Sequence, residues 1–379
     1  MKRILYVRSA PYEVNINAYN LQEIGLAEAF YNYGYQCDVL YYNKKKSFDQ
    51  IINKNGVNIK ILWRHGLRLL RTGIYPQILK KQFLQQYDYI ICSEYSQLMS
   101  VLISKKFNNT YIYNGPYYNL FKIPFMESIY DKLFCKYINK TVRKVFCKTN
   151  MAKDYISKKG ITNSVVTGVG LDVEKFMSDI EIEPDTDNLL KRMEGHKNFL
   201  YIGSISKRKN VELIIKAFIK FKENEETENF QLVIVGSGDK KYTQYCHSLI
   251  PDKLKQEVLW CNFIKNSQTK FIYKAATVFL LPSIQEIFGM VMLESMYFGL
   301  PVIASMTAGS STLIKDSKNG IIVKDFDEDS WIIAMMKFVK NPKLSEELGD
   351  LAGKTIHNNF MWDSIVHKML ENMESVKLI

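Results

Sequence analysis

Residues 282 to 305, PSIQEIFGMVMLESMYFGLPVIAS, constrain this chain more than any other stretch. The apolar run ATVFLL before Pro282 and Ser283 reads as a buried strand. Gly289 to Phe298 reads as a helix, stopped by Gly299 and Pro301 before VIAS opens another strand. Strand, loop, helix and strand is the repeating unit of a parallel α/β sheet. Two carboxylates, Glu286 and Glu294, stand eight residues apart in this otherwise apolar run. Glu286 falls in the loop at the carboxyl end of the sheet, where open α/β sheets bind ligands, and Glu294 falls about one turn into the helix. Gly289 lets backbone approach a ligand closely. The N–H groups of Gly289, Met290 and Val291 can then hold a phosphate at the positive end of the helix, with a carboxylate on either side to accept hydroxyl hydrogen bonds.

An arbitrary pair of glutamates at this spacing is ordinarily a loop charge and a solvated helix face. Here the longer pattern PSxxExFGxxxLExxxxGxPVIAS resembles the donor-sugar signature of retaining glycosyltransferase family 4, within glycosyl transferases group 1. That resemblance implies the GT-B architecture: α/β, with two Rossmann-like domains facing an interdomain cleft and a C-terminal helix crossing back to the first domain. It implies that Glu286 contacts the donor sugar, that Phe288, Gly289, Met290 and Val291 form the segment over the diphosphate, and that Glu294 takes the nucleotide ribose. The resemblance is strong over most of the second domain and weak over the first.

At 379 residues the chain is long enough for two domains, and 47% apolar with 24% charged residues is ordinary globular composition. Six scattered cysteines without a C-x-x-C pair, and five histidines, indicate neither a disulfide framework nor a zinc site and fit a reducing cytoplasm. MKRILYVRSAPY is expected to be a first strand rather than a signal peptide, and no run reaches the roughly 18 apolar residues of a membrane span. The net charge of +12 is unevenly placed. Residues 1–180 hold 26 Lys and Arg against 13 Asp and Glu, and residues 51–150 hold 16 against 4. A positive face of this kind suits an anionic partner, whether nucleic acid or phospholipid headgroups and lipid diphosphates. It equally serves solubility, and no nucleic-acid recognition motif accompanies it.

Along the chain, RILYVR, a loop from Ser9 to Asn20, the helix LQEIGLAEAFYNYG and the strand CDVLYY make a βαβ opening. Family members commonly carry a glycine pair in that loop. Here it holds Asn15, Asn17, Tyr19 and Asn20, which either face an acceptor sugar or pack against the second domain. Residues 61–86 interleave Trp63, Leu67, Tyr75 and Phe83 with Arg64, Arg68, Arg71, Lys80 and Lys81, as either an interfacial segment or an amphipathic helix with its apolar stripe in the core. A second basic amphipathic helix is expected within 124–147. Where many relatives place a histidine near the donor sugar, this chain has Asn114, Gly115, Pro116 and Tyr117. Asn114 and Tyr117 join Asn15 and Asn17 on the expected acceptor side.

The acidic stretch SDIEIEPDTDN reads as a linker, giving domains 1–177 and 198–360, a linker 178–197 and a returning helix 361–379. Its Asp185 and Asp187 have D-x-D spacing but read as solvated charge. In NFLYIGSISKRKNVELII, Gly203 and Lys209 match the family's diphosphate-neutralising segment, Ser204 stands where an Arg is usual, and Arg208 is expected to supply that charge. Gly236 and Gly238 lack the third glycine and acidic partner of a nicotinamide site. Phe263 and Ile264 occupy the place of the family's base-contacting backbone, and Ser310 to Thr312 replace its usual GxxE.

Taken together, the resemblance implies retaining transfer of a hexosyl unit from a nucleotide-sugar, expected to be a UDP-sugar, with Glu286, Lys209 and Arg208 as the catalytic set and no metal or other cofactor. The basic first domain adds the expectation of a lipid-diphosphate-linked saccharide acceptor. Location would be cytoplasmic, peripheral on an anionic membrane face, in assembly of bacterial capsule, exopolysaccharide or O-antigen. Two alternatives stay open: a non-catalytic partner subunit of a transferase pair, and a nucleotide-sugar isomerase on the same fold.

Overall fold

A computed structural model describes residues 1–18, 21–69, 71–121, 123–177 and 180–374. The chain divides into two compact units, Met1–Asp172 with the segment from Phe360 onward, and Val173–Asn359. Each is an α/β unit around a mostly parallel sheet.

In the first unit the strands are β1 (Lys2–Val7), β2 (Tyr35–Tyr42), β3 (Phe48–Lys54), β4 (Val57–Arg64), β5 (Leu67–Leu69), β6 (Thr72–Ile74), β7 (Tyr89–Ser93), β8 (Thr110–Asn114), β9 (Lys144–Cys147) and β10 (Ser164–Val166). β5 and β6 pair with each other, and the rest form one eight-stranded sheet in the order β10-β9-β8-β7-β1-β2-β4-β3. Its members run parallel except the edge strand β3, which returns antiparallel to β4 through a turn at Asn55 (φ +49°) and Gly56 (φ +81°). Asn-Gly is the sequence that such a left-handed two-residue turn requires. Central strands are buried on both faces, with Ile4, Leu5, Val7, Ile90 and Ile91 fully inaccessible, as helices on both sides demand.

The stretch 61–86 is not an amphipathic helix. It is β4, the β5–β6 hairpin, a 3-10 turn Pro76–Leu79 and one helical turn Lys81–Leu84. Gly66, Gly73 and Pro76 interrupt any helical continuation, while Trp63, Tyr75, Ile78 and Leu84 go into the core. The second basic segment does form its helix, Pro124–Thr141.

The second unit contains β11 (Lys197–Ile202), β12 (Phe230–Val235), β13 (Val258–Cys261), β14 (Val278–Leu281), β15 (Val302–Ser305) and β16 (Ile321–Val323), all parallel, in the order β13-β12-β11-β14-β15-β16. Counted within the unit this is the doubly wound order 3-2-1-4-5-6, whose direction reverses between β11 and β14. The helix after β14 spans Met290–Tyr297, and Gly299 (φ +74°) follows its end.

Two boundaries differ from expectation. Val173–Met177 belongs to the second unit. The stretch 178–197 is no extended linker, since Pro184–Met193 is a helix of that unit with Thr186, Leu189 and Met193 buried. Pro184 at its first turn, Asp185 and Asp187 beside it and Lys191 and Arg192 at its end complement the helix dipole, and Asp187 pairs with Lys191 at 2.7 Å. Ser178 and Asp179 lie outside the described residues, as do Tyr19 and Asn20 of the first loop and the last five residues of the expected returning helix.

That closing helix, Trp362–Glu374, packs on Gln22–Asn32 of the first unit. The Asn32 amide donates to Asp363 at 3.1 Å, and the Leu171 N–H donates to the Phe360 carbonyl at 2.8 Å. Gly25 and Gly170 are glycine for a packing reason, because a Cβ on either would overlap the Trp362 ring. No described helix is long and apolar enough to cross a membrane.

Candidate functional site

The switch point of the second unit gathers residues from two loops, 203–210 after β11 and 282–289 after β14. Lys209 and Glu286 form an ion pair across 77 residues of sequence, with side chains 10% and 14% exposed. Arg208 lies on the outer side of the same pair. Its Nη1 donates to the Gln285 carbonyl at 2.6 Å and lies 3.4 Å from Glu286 Oε2. The backbones are joined too, the Ile284 N–H donating to the Arg208 carbonyl at 2.9 Å. Asn210, in left-handed conformation (φ +51°), ends the turn and opens the helix Val211–Phe221, and Asn tolerates that conformation better than most residues. The result is a carboxylate with one buried ammonium and one exposed guanidinium, on loops that are tied to each other.

Gly203 and Ser204 begin the first loop. The buried Tyr201 hydroxyl donates to the Ser204 carbonyl at 2.9 Å while the Ser204 residue itself is exposed; burial, reinforced by the Glu286 charge, raises the Tyr201 phenol and keeps it a donor. Gly236 and Gly238 have a local role. A Cβ on Gly236 would strike the Gly203 carbonyl and one on Gly238 the Ile205 carbonyl. Without them Ile205 N–H donates to Ser237 O at 3.0 Å and Asp239 N–H to Ile205 O at 3.0 Å, zipping the two loops together.

Gly289 (φ +83°) turns the chain into Met290–Tyr297, and its carbonyl accepts from Met292 and Leu293 N–H. Among the described residues the Gly289 and Val291 amides make no backbone hydrogen bond outside the helix's own ladder, as expected at a helix start. Phe288 is buried, and Gly309 backs directly on its carbonyl. Glu294 is 3% exposed and accepts from the Tyr273 hydroxyl at 3.0 Å, while the Tyr273 ring stacks on Phe298 at 5.6 Å. Phe263 and Ile264 follow β13, separated from β11 by β12; Phe263 is 68% exposed and Ile264 is buried. Beside the pair, an open cavity of ≈ 1030 Å³ is lined by Lys207, Arg208, Lys241, Tyr242, Tyr245 and Ile284 among others. It reaches Arg208 and stops short of Glu286 and Glu294.

Ser310 is fully buried, accepting from the Thr307 N–H at 2.8 Å and donating to the Ser305 carbonyl at 2.7 Å, so it fastens the turn after β15. Asp185 and Asp187 are in the first turn of their helix, and among the described residues no three His, Cys, Asp or Glu side chains come together as a metal site.

In the first unit, Asn15 and Asn17 are exposed and form an Asx turn, the Asn17 N–H donating to Asn15 Oδ1 at 3.0 Å. Asn114 is fully buried. Its amide donates to the Pro116 carbonyl at 3.2 Å and accepts from the Tyr95 N–H at 3.3 Å, which suits shaping of the loop rather than contact with a ligand. Tyr117 is half-buried and meets Tyr118 edge-on at 5.0 Å.

A polar cluster at the carboxyl ends of β1, β7 and β9 was not among the expected site residues. Arg8 pairs with Glu23 at 3.3 Å, and Arg71 pairs with Glu94 at 3.3 Å. Lys148 donates to Gln22 at 2.7 Å over the face of Tyr113, and burial pushes its ammonium down despite Glu23 and Glu94 nearby. Glu94 has φ +58°, an uncommon conformation for glutamate, at the end of β7, where the strand order of this sheet reverses against β1. The clue in the sequence was a charged residue closing each apolar strand: VRS, CSE and FCK.

Residues 185–355, nearly the whole second unit, match the family model for glycosyl transferases group 1. The uncharacterized glycosyltransferase MJ1607 of Methanocaldococcus jannaschii is 31% identical over 174 residues, 45% of this chain and 43% of that protein. The chain thus spans about half the length or less of the curated relatives it matches first, Bacillus subtilis spore coat protein SA among them (27% identity, 50% of that protein). Among solved structures, Anabaena HepE in complex with UDP superposes with a TM-score of 0.74 at 14% identity, covering 99% of this chain and 100% of that one. Sucrose-phosphate synthase of Thermosynechococcus elongatus gives 0.72 at 16% identity, covering both chains fully. The chain therefore has the two-domain GT-B fold, and its second unit is similar to the glycosyl transferases group 1 family over residues 185–355.

Proposed function

We propose that this protein is a retaining glycosyltransferase that moves a hexosyl unit from a nucleotide-sugar to a saccharide acceptor. One observation carries the reading: the Lys209–Glu286 pair, with Arg208 against it, at the switch point of the second unit and next to the helix start at Gly289. Lys209 and Arg208 would neutralise the departing diphosphate together with the first amides of Met290–Tyr297, and Glu286 would accept hydroxyl hydrogen bonds from the sugar. Glu294, set by Tyr273, would take the ribose. In a front-face reaction the bond from the anomeric carbon to the diphosphate breaks as the bond to the acceptor oxygen forms on the same side. The acceptor proton then passes to the departing phosphate oxygen, so no histidine is needed at the place of Asn114.

UDP is the nucleoside diphosphate this reading favours, since HepE of the same fold is solved with UDP and also with UDP-glucose (TM-score 0.68). The excess of Lys and Arg in the first half favours a lipid-diphosphate-linked saccharide acceptor at an anionic cytoplasmic membrane face, in bacterial surface polysaccharide assembly. A second reading, a non-catalytic partner subunit, is favoured by Ser204 in place of the usual Arg. A thermal-shift panel of nucleotide-sugars, followed by anomeric NMR of product formed with membrane extract, tests both. Transfer with retained configuration supports the enzyme, donor binding without transfer favours the partner subunit, and free sugar or an epimer without acceptor favours an isomerase on this fold.

A further inference from the structure

The helix Pro124–Thr141 presents an unusual outer face. Phe125, Ile129 and Leu133, spaced four residues apart on one stripe, are 63%, 50% and 63% exposed. Lys132, Lys136 and Lys140 continue the same exposed face toward the helix end. Single exposed apolar residues are commonplace, but a stripe of three large ones is not. The β5–β6 hairpin extends it. Leu69 lines a small cavity together with Phe121 and Phe134, and both Leu67 and Leu69 are exposed, at 69% and 48%.

The charge on this face is one-sided for a structural reason. The helix has two acids, Glu127 and Asp131, and both are turned inward. Glu127 accepts from the Tyr95 and Tyr155 hydroxyls and pairs with Lys159 at 3.3 Å, and Asp131 pairs with the same lysine. Every charge the helix leaves on its exposed face is therefore positive, and Arg143 just beyond its end is exposed as well. A soluble surface needs neither the apolar stripe nor the segregation of acids.

We infer that this face, the outer stripe of Pro124–Thr141 with the exposed Leu67 and Leu69 of β5, docks the protein on an anionic lipid bilayer. Phe125, Ile129, Leu133 and Leu67 enter the boundary between headgroups and acyl chains, and Lys132, Lys136 and Lys140 meet the lipid phosphates. The inference rests on the lipid-linked acceptor proposed above and names the surface that would bring the enzyme to it. It also moves that role from 61–86 as a whole, where the larger side chains are core, to the neighbouring helix.

The test is co-sedimentation of the full chain with vesicles of phosphatidylcholine alone and of phosphatidylcholine with one-third phosphatidylglycerol. Expected is binding to the anionic vesicles that weakens at 0.5 M salt, with binding to the neutral ones weaker by about tenfold or more. Two variants probe the two halves of the face, Phe125→Ser/Ile129→Ser/Leu133→Ser and Lys132→Glu/Lys136→Glu/Lys140→Glu. Each is expected to lose at least about tenfold in vesicle affinity with melting temperature and UDP binding unchanged. Absence of vesicle binding, binding that both variants retain, or a wild-type dimer that the first variant turns into a monomer would overturn the inference. Failure of vesicle binding with UDP binding intact defeats the surface alone, and vesicle binding without any nucleotide binding defeats the transferase reading alone.

Discussion

The Tyr273 hydroxyl donates to the buried Glu294 carboxylate across 3.0 Å, from the helix Thr269–Ala275 to the helix that follows Glu286. The two residues are 21 apart in sequence, and the tyrosine hydroxyl helps to fix how the acid is presented. In Tyr273→Phe the ring and its stacking on Phe298 survive and the hydrogen bond is lost. Michaelis kinetics should show a raised KM for the nucleotide-sugar with kcat within about twofold, at a stability cost of about 1–2 kcal/mol in urea unfolding.

Breaking the Lys209–Glu286 pair affects stability and activity separately. Lys209→Ala leaves a mostly buried carboxylate with only the exposed Arg208 beside it, and should cost about 3 kcal/mol and about a hundredfold or more in transfer. The double variant Lys209→Met/Glu286→Leu removes both charges and should recover most of that stability while staying inactive. Chemical denaturation alongside a transfer assay distinguishes this from a purely structural pair, for which activity would return with stability.

Gly309 tests the scaffold behind the site. An added methyl there would collide with the Phe288 backbone, so the loop 286–289 must move. Gly309→Ala should lose about 1–3 kcal/mol and most nucleotide binding, measured by thermal shift with UDP. Gly34→Ala is the control: that glycine meets nothing within 4 Å, and its φ of +79° costs stability without touching the site.

In the first unit, Lys148→Met should raise the KM for acceptor and leave UDP binding unchanged. It also has a pH signature. Burial lowers the Lys148 pKa below its ordinary 10.5, so the unfolded chain binds more protons between the two values and stability rises with pH through that window. The variant should lose that contribution, visible as a flatter stability–pH curve on the approach to pH 10.5.

Much of the second unit could be read before any coordinates were known, because PSIQEIFG carries its own strand end, turn glycine and helix start in consecutive residues. The pairing of Lys209 with Glu286 is implied in the sequence only by one family pattern; Arg208 is expected there to supply the charge missing at Ser204, and that it lies against Glu286 emerges from the fold. Long-range partners such as Tyr273 for Glu294 leave no local trace. The first unit was harder. Asn114 is expected on the acceptor side because it stands where many relatives have a histidine, and in the fold it is buried and donates within its own loop. Residues 61–86 alternate basic and apolar side chains, a pattern that a hairpin satisfies as readily as a helix does. The acidic segment at 184–193 has the composition of a linker, although its Pro, acids and bases stand in the order that suits a helix dipole.

The proposed transfer requires Lys209 to hold a diphosphate at the switch point. Isothermal titration of UDP into the full chain, beside Lys209→Ala, measures this directly. Saturable one-site binding is expected for the wild type, weakened by about tenfold or more in the variant, as follows from loss of a charge-assisted contact. Equal affinity in the two proteins, or no uptake of UDP or of any other nucleoside diphosphate by the wild type, would contradict it.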